Sequence, residues 1–136
     1  MQYRARRVDY FYTRVKDRPG EAYQLLSHLA NSDVNLLAFS VVPMGPDVAQ
    51  LTLFPDNVEH MVQSAENAGL VLEGPYPALL VQGDDRLGAL AEIHAKLYDA
   101  RVNVFSAIAV TDGKGCYGYV IYVHPDEIDL ATSAVT

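Results

Sequence analysis

The sequence predicts an α+β fold made of two tandem βαββαβ modules, the second of which lacks its last strand. Three observations predict it: two short motifs that repeat at one spacing, the same order of strand-like and helix-like segments in both halves, and a second half too short for its final strand. Of the 136 residues, 50% are hydrophobic and 20% are charged, a globular balance with enough apolar surface for a core.

Two short motifs recur at the same spacing in the two halves of the chain. Each second copy follows its first by 68 residues, with no gap between the motifs, and this spacing is too long for a solenoid unit. The chain is therefore predicted to be a domain duplication, with modules at 1–74 and 78–136. The matching segments are Asp17-Arg18-Pro19-Gly20 with Asp85-Arg86-Leu87-Gly88, and Val34-Asn35-Leu36 with Val102-Asn103-Val104.

Hydrophobic patterning gives the first half the order β-α-β-β-α-β, which is the ferredoxin-like arrangement. Aromatic and aliphatic runs predict strands, and apolar residues spaced three and four apart predict helices that pack on one face. The predicted strands are 10–15, 34–42, 48–54 and 70–72. The first helix follows Gly20, and the second begins after Pro55-Asp56, with Asp56 as its cap, and ends near Gly69.

The second half repeats this order up to its second helix. Strands are predicted at 79–81, 102–110 and 117–124, with a helix through Leu90, Ile93 and Leu97. Pro125-Asp126 follows Pro55-Asp56 by 70 residues, which places two extra residues in the second hairpin and makes Asp126 a second cap.

The oligomeric state is predicted from the end of the second half and from the junction between the two halves. Thr136 aligns with Glu66, so the fourth strand of the second module is predicted to be absent and the edge at Leu79–Val81 to be open. Gly74-Pro75-Tyr76-Pro77 is predicted to be a stiff corner between the modules. Because open strand edges invite pairing, a homodimer or larger assembly is expected, unless the fourth strand of the first half covers that edge instead.

Charge and missing motifs argue against several classes of function. The formal net charge of −7 repels a phosphate backbone, so no nucleic-acid partner is expected and Tyr117, Tyr119 and Tyr122 are not interpreted as an RNA-stacking sheet. No stretch approaches the roughly 20 apolar residues of a membrane span, and no signal peptide is recognisable, so a cytoplasmic protein without membrane contact is expected. The four histidines and the single Cys116 show no metal or nucleophile motif, so no catalysis, metal or cofactor is predicted.

The residues that suit a ligand lie in the loop before the first helix of each half. Gly20 and Gly88 stand where a strand turns into a helix, and a helix start offers unpaired N–H groups and a partial charge of about +0.5. A carboxylate fits there, while Asp17 and Asp85 can receive an ammonium group through charge-assisted hydrogen bonds. This arrangement suits a zwitterion. An Asp that caps a helix and a Gly that forms a turn explain the same residues, and the sequence leaves that alternative open.

In these motifs the chain resembles the ACT domain family, the amino-acid-binding regulatory modules of metabolic enzymes. The resemblance covers residues 9–74 and 78–135, and it implies a ligand between the loop of one module and the second-strand start of a neighbouring module. By position it implicates Val15, Asp17, Arg18, Pro19, Gly20 and Asn35, and equivalently Gly83, Asp85, Arg86, Leu87, Gly88 and Asn103.

The second copy departs from the family motif in having Leu87 where the first has Pro19, and in its missing strand. The first loop, Asp17 to Gly20, is therefore predicted to be the better site. It is expected to work together with Asn103 or with Asn35 of a second copy of the chain.

The resemblance implies a non-catalytic regulatory protein that binds a free amino acid or a similar small zwitterion. One alternative is a regulatory subunit or interaction module that controls a metabolic enzyme mainly by protein–protein contact. Another is a small ferredoxin-like enzyme that uses the sheet face. A ligand screen distinguishes the first from the other two.

Overall fold

The computed structural model describes residues 2–136, which contain six β-strands and four α-helices. In chain order these are β1 (Tyr3–Lys16), α1 (Glu21–Asn31), β2 (Leu36–Pro43), β3 (Val48–Pro55), α2 (Val58–Ala68), β4 (Glu73–Asp84), α3 (Ala89–Asp99), β5 (Val104–Thr111), β6 (Cys116–Val123) and α4 (Ile128–Val135). A short 3-10 helix at Pro125–Glu127 precedes α4. The pairs β1–β3, β2–β3, β4–β6 and β5–β6 are antiparallel, and the predicted α+β class is confirmed. Within residues 2–136, no helix has the length and apolar character needed to cross a membrane.

The chain divides into two compact units, and strands β1 and β4 contribute to both. One unit is Asp9–Tyr76; the other joins residues up to Val8 with Pro77–Thr136. The strand order is β2-β3-β1-β4 in the first unit and β1-β4-β6-β5 in the second. Residues 2–8 thus belong with the second unit, whereas the sequence assigned them to the first module.

The unit of residues 9–76 packs both of its helices on one face of its strands. Alternate residues of β3, at Ala49, Leu51 and Leu53, are buried against Leu25 and Leu29 of α1 and Met61 of α2. Because strand side chains alternate between faces, the intervening residues of β3 lie on the other side of the sheet. The predicted apolar stripe of the first helix is confirmed at Leu25 and Leu29.

Residues 2–8 occupy the fourth strand position of the second unit. The Asp84 N–H donates to the Gln2 carbonyl oxygen at 2.8 Å, beside β4. Tyr3 and Ala5 pack against the core formed by α3, α4, β4 and β6. The open edge predicted at Leu79–Val81 is therefore wrong, since the first half of β1 covers it.

Tyr3 ties this N-terminal strand to both helices of its unit. Its hydroxyl accepts a hydrogen bond from Lys96 Nζ of α3 at 2.6 Å and donates one to the Val135 carbonyl oxygen of α4 at 2.6 Å. The bond to Tyr3 raises the pKa of Lys96 above its ordinary value. The strand prediction missed residues 3–9 because three arginines interrupt their apolar pattern.

Strand β4 runs unbroken through residues 73–84, which corrects two predictions. The segment 74–77 is not a corner between modules but part of this strand, and residues 70–72 precede the strand instead of forming one. The Tyr76 ring stacks on Tyr12 of β1, with centroids 5.4 Å apart and planes 15° apart. In the unit of residues 9–76 this segment is the outermost strand, where prolines that cannot donate a ladder hydrogen bond are tolerated.

The predictions about the second hairpin and about the aspartate caps are also wrong. Both hairpins have turns of equal length, 44–47 and 112–115, and the two extra residues lie after β6, before α4. The residue that caps α2 is Asn57, whose side chain accepts from the His60 N–H at 3.0 Å, and not Asp56. Asp126 instead pairs with His124 Nδ1 at 2.6 Å.

Asp112 organises the hairpin between β5 and β6, and we expect it to make stability depend on pH. Its Oδ1 accepts from the N–H of Lys114 at 2.6 Å and of Cys116 at 3.1 Å, and these bonds hold the pKa of Asp112 below its ordinary value. Because the folded-state pKa is the lower one, the carboxylate stabilises the fold above its unfolded-state pKa. That stabilisation is lost as pH falls through the folded-state value.

Urea unfolding measured from about pH 7 to about pH 3 should therefore show a steeper acid loss of stability in the native chain than in Asp112→Asn. Lys114→Ala serves as the control, because it retains both N–H donors and the carboxylate. Parallel pH profiles for the native chain and Asp112→Asn would contradict the prediction.

Candidate functional site

The two predicted loops have the same backbone geometry. Gly20 and Gly88 are the N-cap residues of α1 and α3, with left-handed φ values of 91° and 82°. An added Cβ would find open space at both positions, so glycine is required there by the backbone conformation and not by a close neighbour. The loops predicted from sequence therefore lead into helix starts, as expected.

These two helix starts lack the side-chain cap that α2 has. In the part of the chain that the structure describes, no side chain accepts a hydrogen bond at the start of α1 or α3, whereas Asn57 caps α2. In α3 the amides of Ala89 and Glu92 bond to backbone oxygens, which leaves the N–H groups of Leu90 and Ala91 without an acceptor among residues 2–136. Such groups and the helix dipole together attract an anion.

Asp17 and Asp85 are not helix caps, so the capping explanation of these residues is wrong. Their N–H groups instead tie the loops to the neighbouring hairpins: Asp17 donates to the Asp47 carbonyl oxygen at 2.9 Å and Asp85 to that of Gly115 at 2.8 Å. Both residues are exposed. Each loop is thus held in place by its backbone while its carboxylate remains accessible to a cation.

The two loop arginines are engaged by protein groups. Arg18 Nε lies 3.2 Å from Glu21 Oε2, and Arg86 Nη2 pairs with Glu92 Oε2 and donates to Gln2 Oε1 at 3.1 Å. These contacts hold the guanidinium groups beside the helix starts. The positive charge offered to a ligand therefore comes mainly from the helix starts themselves.

A cavity of about 700 Å³ lies at the second loop. One side of it is the loop and the first turn of α3, from Asp85 to Ala91, and the other is the end of β5 at Ala109–Thr111 together with Tyr117. Apart from the loop, most of these side chains are apolar, and Leu87 is fully exposed. The cavity thus joins an anion-attracting helix start and an accessible carboxylate to an apolar wall.

Tyr117 contributes a polar group that the sequence analysis did not place at the site. The residue is 6% exposed, and its hydroxyl has no hydrogen-bond partner among residues 2–136. Burial raises its pKa, so the phenol is neutral at physiological pH. A buried, unpaired hydroxyl is unfavourable by about 1–3 kcal/mol unless a partner binds it.

The remaining predicted site residues lie at different places in the two units, and some of them have structural roles. Gly83 lies within β4, where an added Cβ would overlap the Gln2 carbonyl oxygen and Tyr3, so its role is to admit the neighbouring strand. Val15 packs against the core of its own unit. Pro19 and Leu87 stand one residue before the N-cap glycines.

Asn35 and Asn103 are exposed and precede β2 and β5. The cavity lies at the far end of β5, and a strand of eight residues puts Asn103 roughly 25 Å from it. An asparagine that completes a loop site must therefore come from a different module, as the resemblance implies.

Other candidate residues fall outside any shared site. Tyr117 and Tyr119 are buried on the helix-covered face of their sheet, while Tyr122 lies on the opposite face against Phe105, so the three tyrosines do not form one surface. His94 Nε2 lies 2.5 Å from the Tyr119 hydroxyl, a structural contact. Among residues 2–136 there is no group of three or more His, Cys, Asp or Glu side chains that could hold a metal ion.

Several solved structures share the fold of this chain, with its two similar halves. Protein BT0572 from Bacteroides thetaiotaomicron shares the fold with a TM-score of 0.80 at 14% identity, over 96% of this chain and 87% of that one. The ligand-free regulatory subunit of aspartate kinase from Thermus thermophilus has a TM-score of 0.67 at 14% identity, over 99% of this chain and 95% of that one. The regulatory subunit of aspartate kinase from Thermus flavus has a TM-score of 0.63 at 14% identity, over 99% of this chain and 95% of that one.

Similarity at this identity shows a common fold, and it confirms the fold implied by the resemblance to ACT domains. No protein-family model and no curated protein matches the sequence.

Proposed function

We propose that the chain is a non-catalytic regulatory protein that binds a free amino acid at its loop sites. The observation that carries this proposal is the cavity at Asp85–Ala91, where an uncapped helix start and an accessible carboxylate lie together. An α-amino acid has the complementary groups, a carboxylate for the N–H groups of Leu90 and Ala91 and an ammonium group for Asp85. The apolar wall from Ala109 and Val110 would receive its side chain.

The cavity favours the second loop as the principal site, although the sequence favoured the first. The first loop has the same uncapped helix start, with Asp17 before it and Gly20 at the N-cap. We expect both loops to bind, with the second the tighter, and an asparagine of a neighbouring module, Asn35 or Asn103, to complete each site.

We also propose a homodimer or larger assembly, in which the chains pair through strand β5 and not through the edge predicted from the sequence. Strand β5 is the last strand in the order of its unit, and Val104–Thr111 contains no charged residue. Phe105, Ile108 and Val110 are 59%, 66% and 71% exposed. Long apolar edge strands of this kind pair with another chain, and light scattering that finds only monomer over a wide concentration range would overturn this part.

The same edge supports a second candidate function, that of an interaction module for a metabolic enzyme. Solved proteins with this fold include regulatory subunits of aspartate kinase, which supports a regulatory role in association with an enzyme. In that case affinity for amino acids is weak or absent, and β5 is the contact surface. The two candidates differ in their response to free amino acids.

A thermal-shift screen of the twenty common amino acids, followed by calorimetry, tests the proposal. We expect at least one to raise the unfolding temperature, increasingly with its concentration, because a ligand that binds only the folded state stabilises it. Few contacts are available to so small a ligand, so we expect affinities between about 1 μM and 1 mM. If no amino acid stabilises the protein and an enzyme is recovered with it from a lysate, the interaction module replaces the sensor.

A further inference from the structure

We propose that Tyr117 selects the ligand of the second loop, and that this site takes an amino acid whose side chain carries a hydrogen-bonding atom. This inference rests on the proposed function and deepens it. Tyr117 lies outside both loop motifs and was not among the residues implied by the resemblance. What carries the inference is that Tyr117 lines the cavity and that its buried hydroxyl has no hydrogen-bond partner among residues 2–136.

From the position of Tyr117, we infer that its hydroxyl forms a hydrogen bond with the side chain of the ligand. The residue pairs with Thr111 of β5 on one side and with Gly83 of β4 on the other, so it forms part of the cavity wall on the sheet side, facing α3. The amino and carboxylate groups of the ligand are satisfied by Asp85 and by the start of α3. Tyr117 and the exposed Thr111 are then the polar residues left for the ligand's side chain, and of the two hydroxyls only that of Tyr117 is buried without a partner among residues 2–136.

The first unit offers a natural comparison. Counting 68 residues back from Tyr117 gives Ala49, which occupies the same place in β3 and is buried in the core of its own unit. Its methyl group can neither donate nor accept a hydrogen bond. The duplicated loops are therefore alike where they face the common groups of an amino acid and different where its side chain would lie.

Tyr119, a second buried tyrosine on β6, has a hydroxyl with a hydrogen-bond partner and therefore allows a comparison. Tyr119 faces the same core, but its hydroxyl lies 2.5 Å from His94 Nε2. Tyr119→Phe would break this hydrogen bond, whereas Tyr117→Phe removes a hydroxyl that has no partner among residues 2–136. The two substitutions delete the same atom from the same face of the sheet, and they differ in the hydrogen-bond partner and in that only Tyr117 lines the cavity.

The experiment compares the native protein, Tyr117→Phe and Tyr119→Phe by calorimetry with pairs of amino acids of similar shape: threonine and valine, serine and alanine, glutamine and methionine, lysine and norleucine. We expect the native protein to bind the polar member of at least one pair about tenfold more tightly, because the apolar member leaves the hydroxyl unpaired. Tyr117→Phe should bind both members of that pair equally, and Tyr119→Phe should keep the native preference.

The ligand-free variants supply a separate readout. We expect the unfolding midpoint of Tyr117→Phe to equal or exceed that of the native protein, and that of Tyr119→Phe to fall, since only the latter loses a hydrogen bond. A native protein that binds amino acids without preference within the pairs, or a Tyr117→Phe variant that retains the preference, overturns the assignment of Tyr117 alone. A native protein that binds none of the amino acids overturns the proposed function and this inference with it.

Discussion

Removal of residues 1–8 is expected to unfold the unit formed by residues 77–136 while the unit of residues 9–76 stays folded. The deleted segment is the fourth strand of the second unit, and Tyr3 within it bonds to both α3 and α4. A core of this size supplies only about 3–5 kcal/mol, and the loss of a strand with its apolar contacts and two hydrogen bonds removes an amount of the same order.

Hydrogen exchange read by mass spectrometry measures this outcome region by region. Amides of β5, β6 and α3 should lose protection in the truncated chain, and those of β2, β3 and α1 should keep it. Tyr3→Phe is the graded variant, with a loss of about 1–3 kcal/mol from its two hydrogen bonds. Arg4→Gln with Arg6→Gln is the matched control, because both side chains are exposed. Native protection throughout the truncated chain would show that residues 2–8 are dispensable.

The repeat made most of the fold predictable, because hydrophobic patterning decides local structure. The apolar stripes at Leu25, Leu29, Ile93 and Leu97 mark helices that the structure confirms. The missing fourth strand could not be located in this way. Its replacement is 70 or more residues away in sequence, and the adjacent Arg6 and Arg7 break the alternation of apolar and polar residues that marks a strand, so only the tertiary structure shows that β1 serves both units.

The site could be predicted where it depends on the backbone and not where it depends on packing. Glycine adopts a positive φ without strain, and Gly20 and Gly88 have one, so the turn before each helix could be expected from the sequence. Tyr117 was considered only as one of three strand tyrosines. The alternation of its strand predicts that it faces the helices, but whether a buried hydroxyl finds a partner depends on side chains from other elements.

Asp85→Asn is expected to weaken amino-acid binding at the second loop by about ten- to a hundredfold. The carboxylate is the group assigned to the ammonium ion, and a charge-assisted hydrogen bond contributes about 1.5–3 kcal/mol, where 1.4 kcal/mol is one factor of ten. Glycine variants are poorer tests, since φ at Gly88 is 82° and any side chain there strains the helix start as well as the site. The same reasoning applies to Gly20.

Asp84→Asn is the matched control for Asp85→Asn. It removes the same charge one residue earlier, at the end of β4 and outside the cavity at the second loop. Calorimetry at two salt concentrations should show native affinity for Asp84→Asn and a weakened Asp85→Asn in both, because a contact with the ligand is screened less than a surface charge. Asp17→Asn then measures the first loop, and it should remove a second, weaker binding event. If Asp85→Asn and Asp17→Asn both bind like the native chain, the two aspartates are surface charges and the ammonium group is held elsewhere.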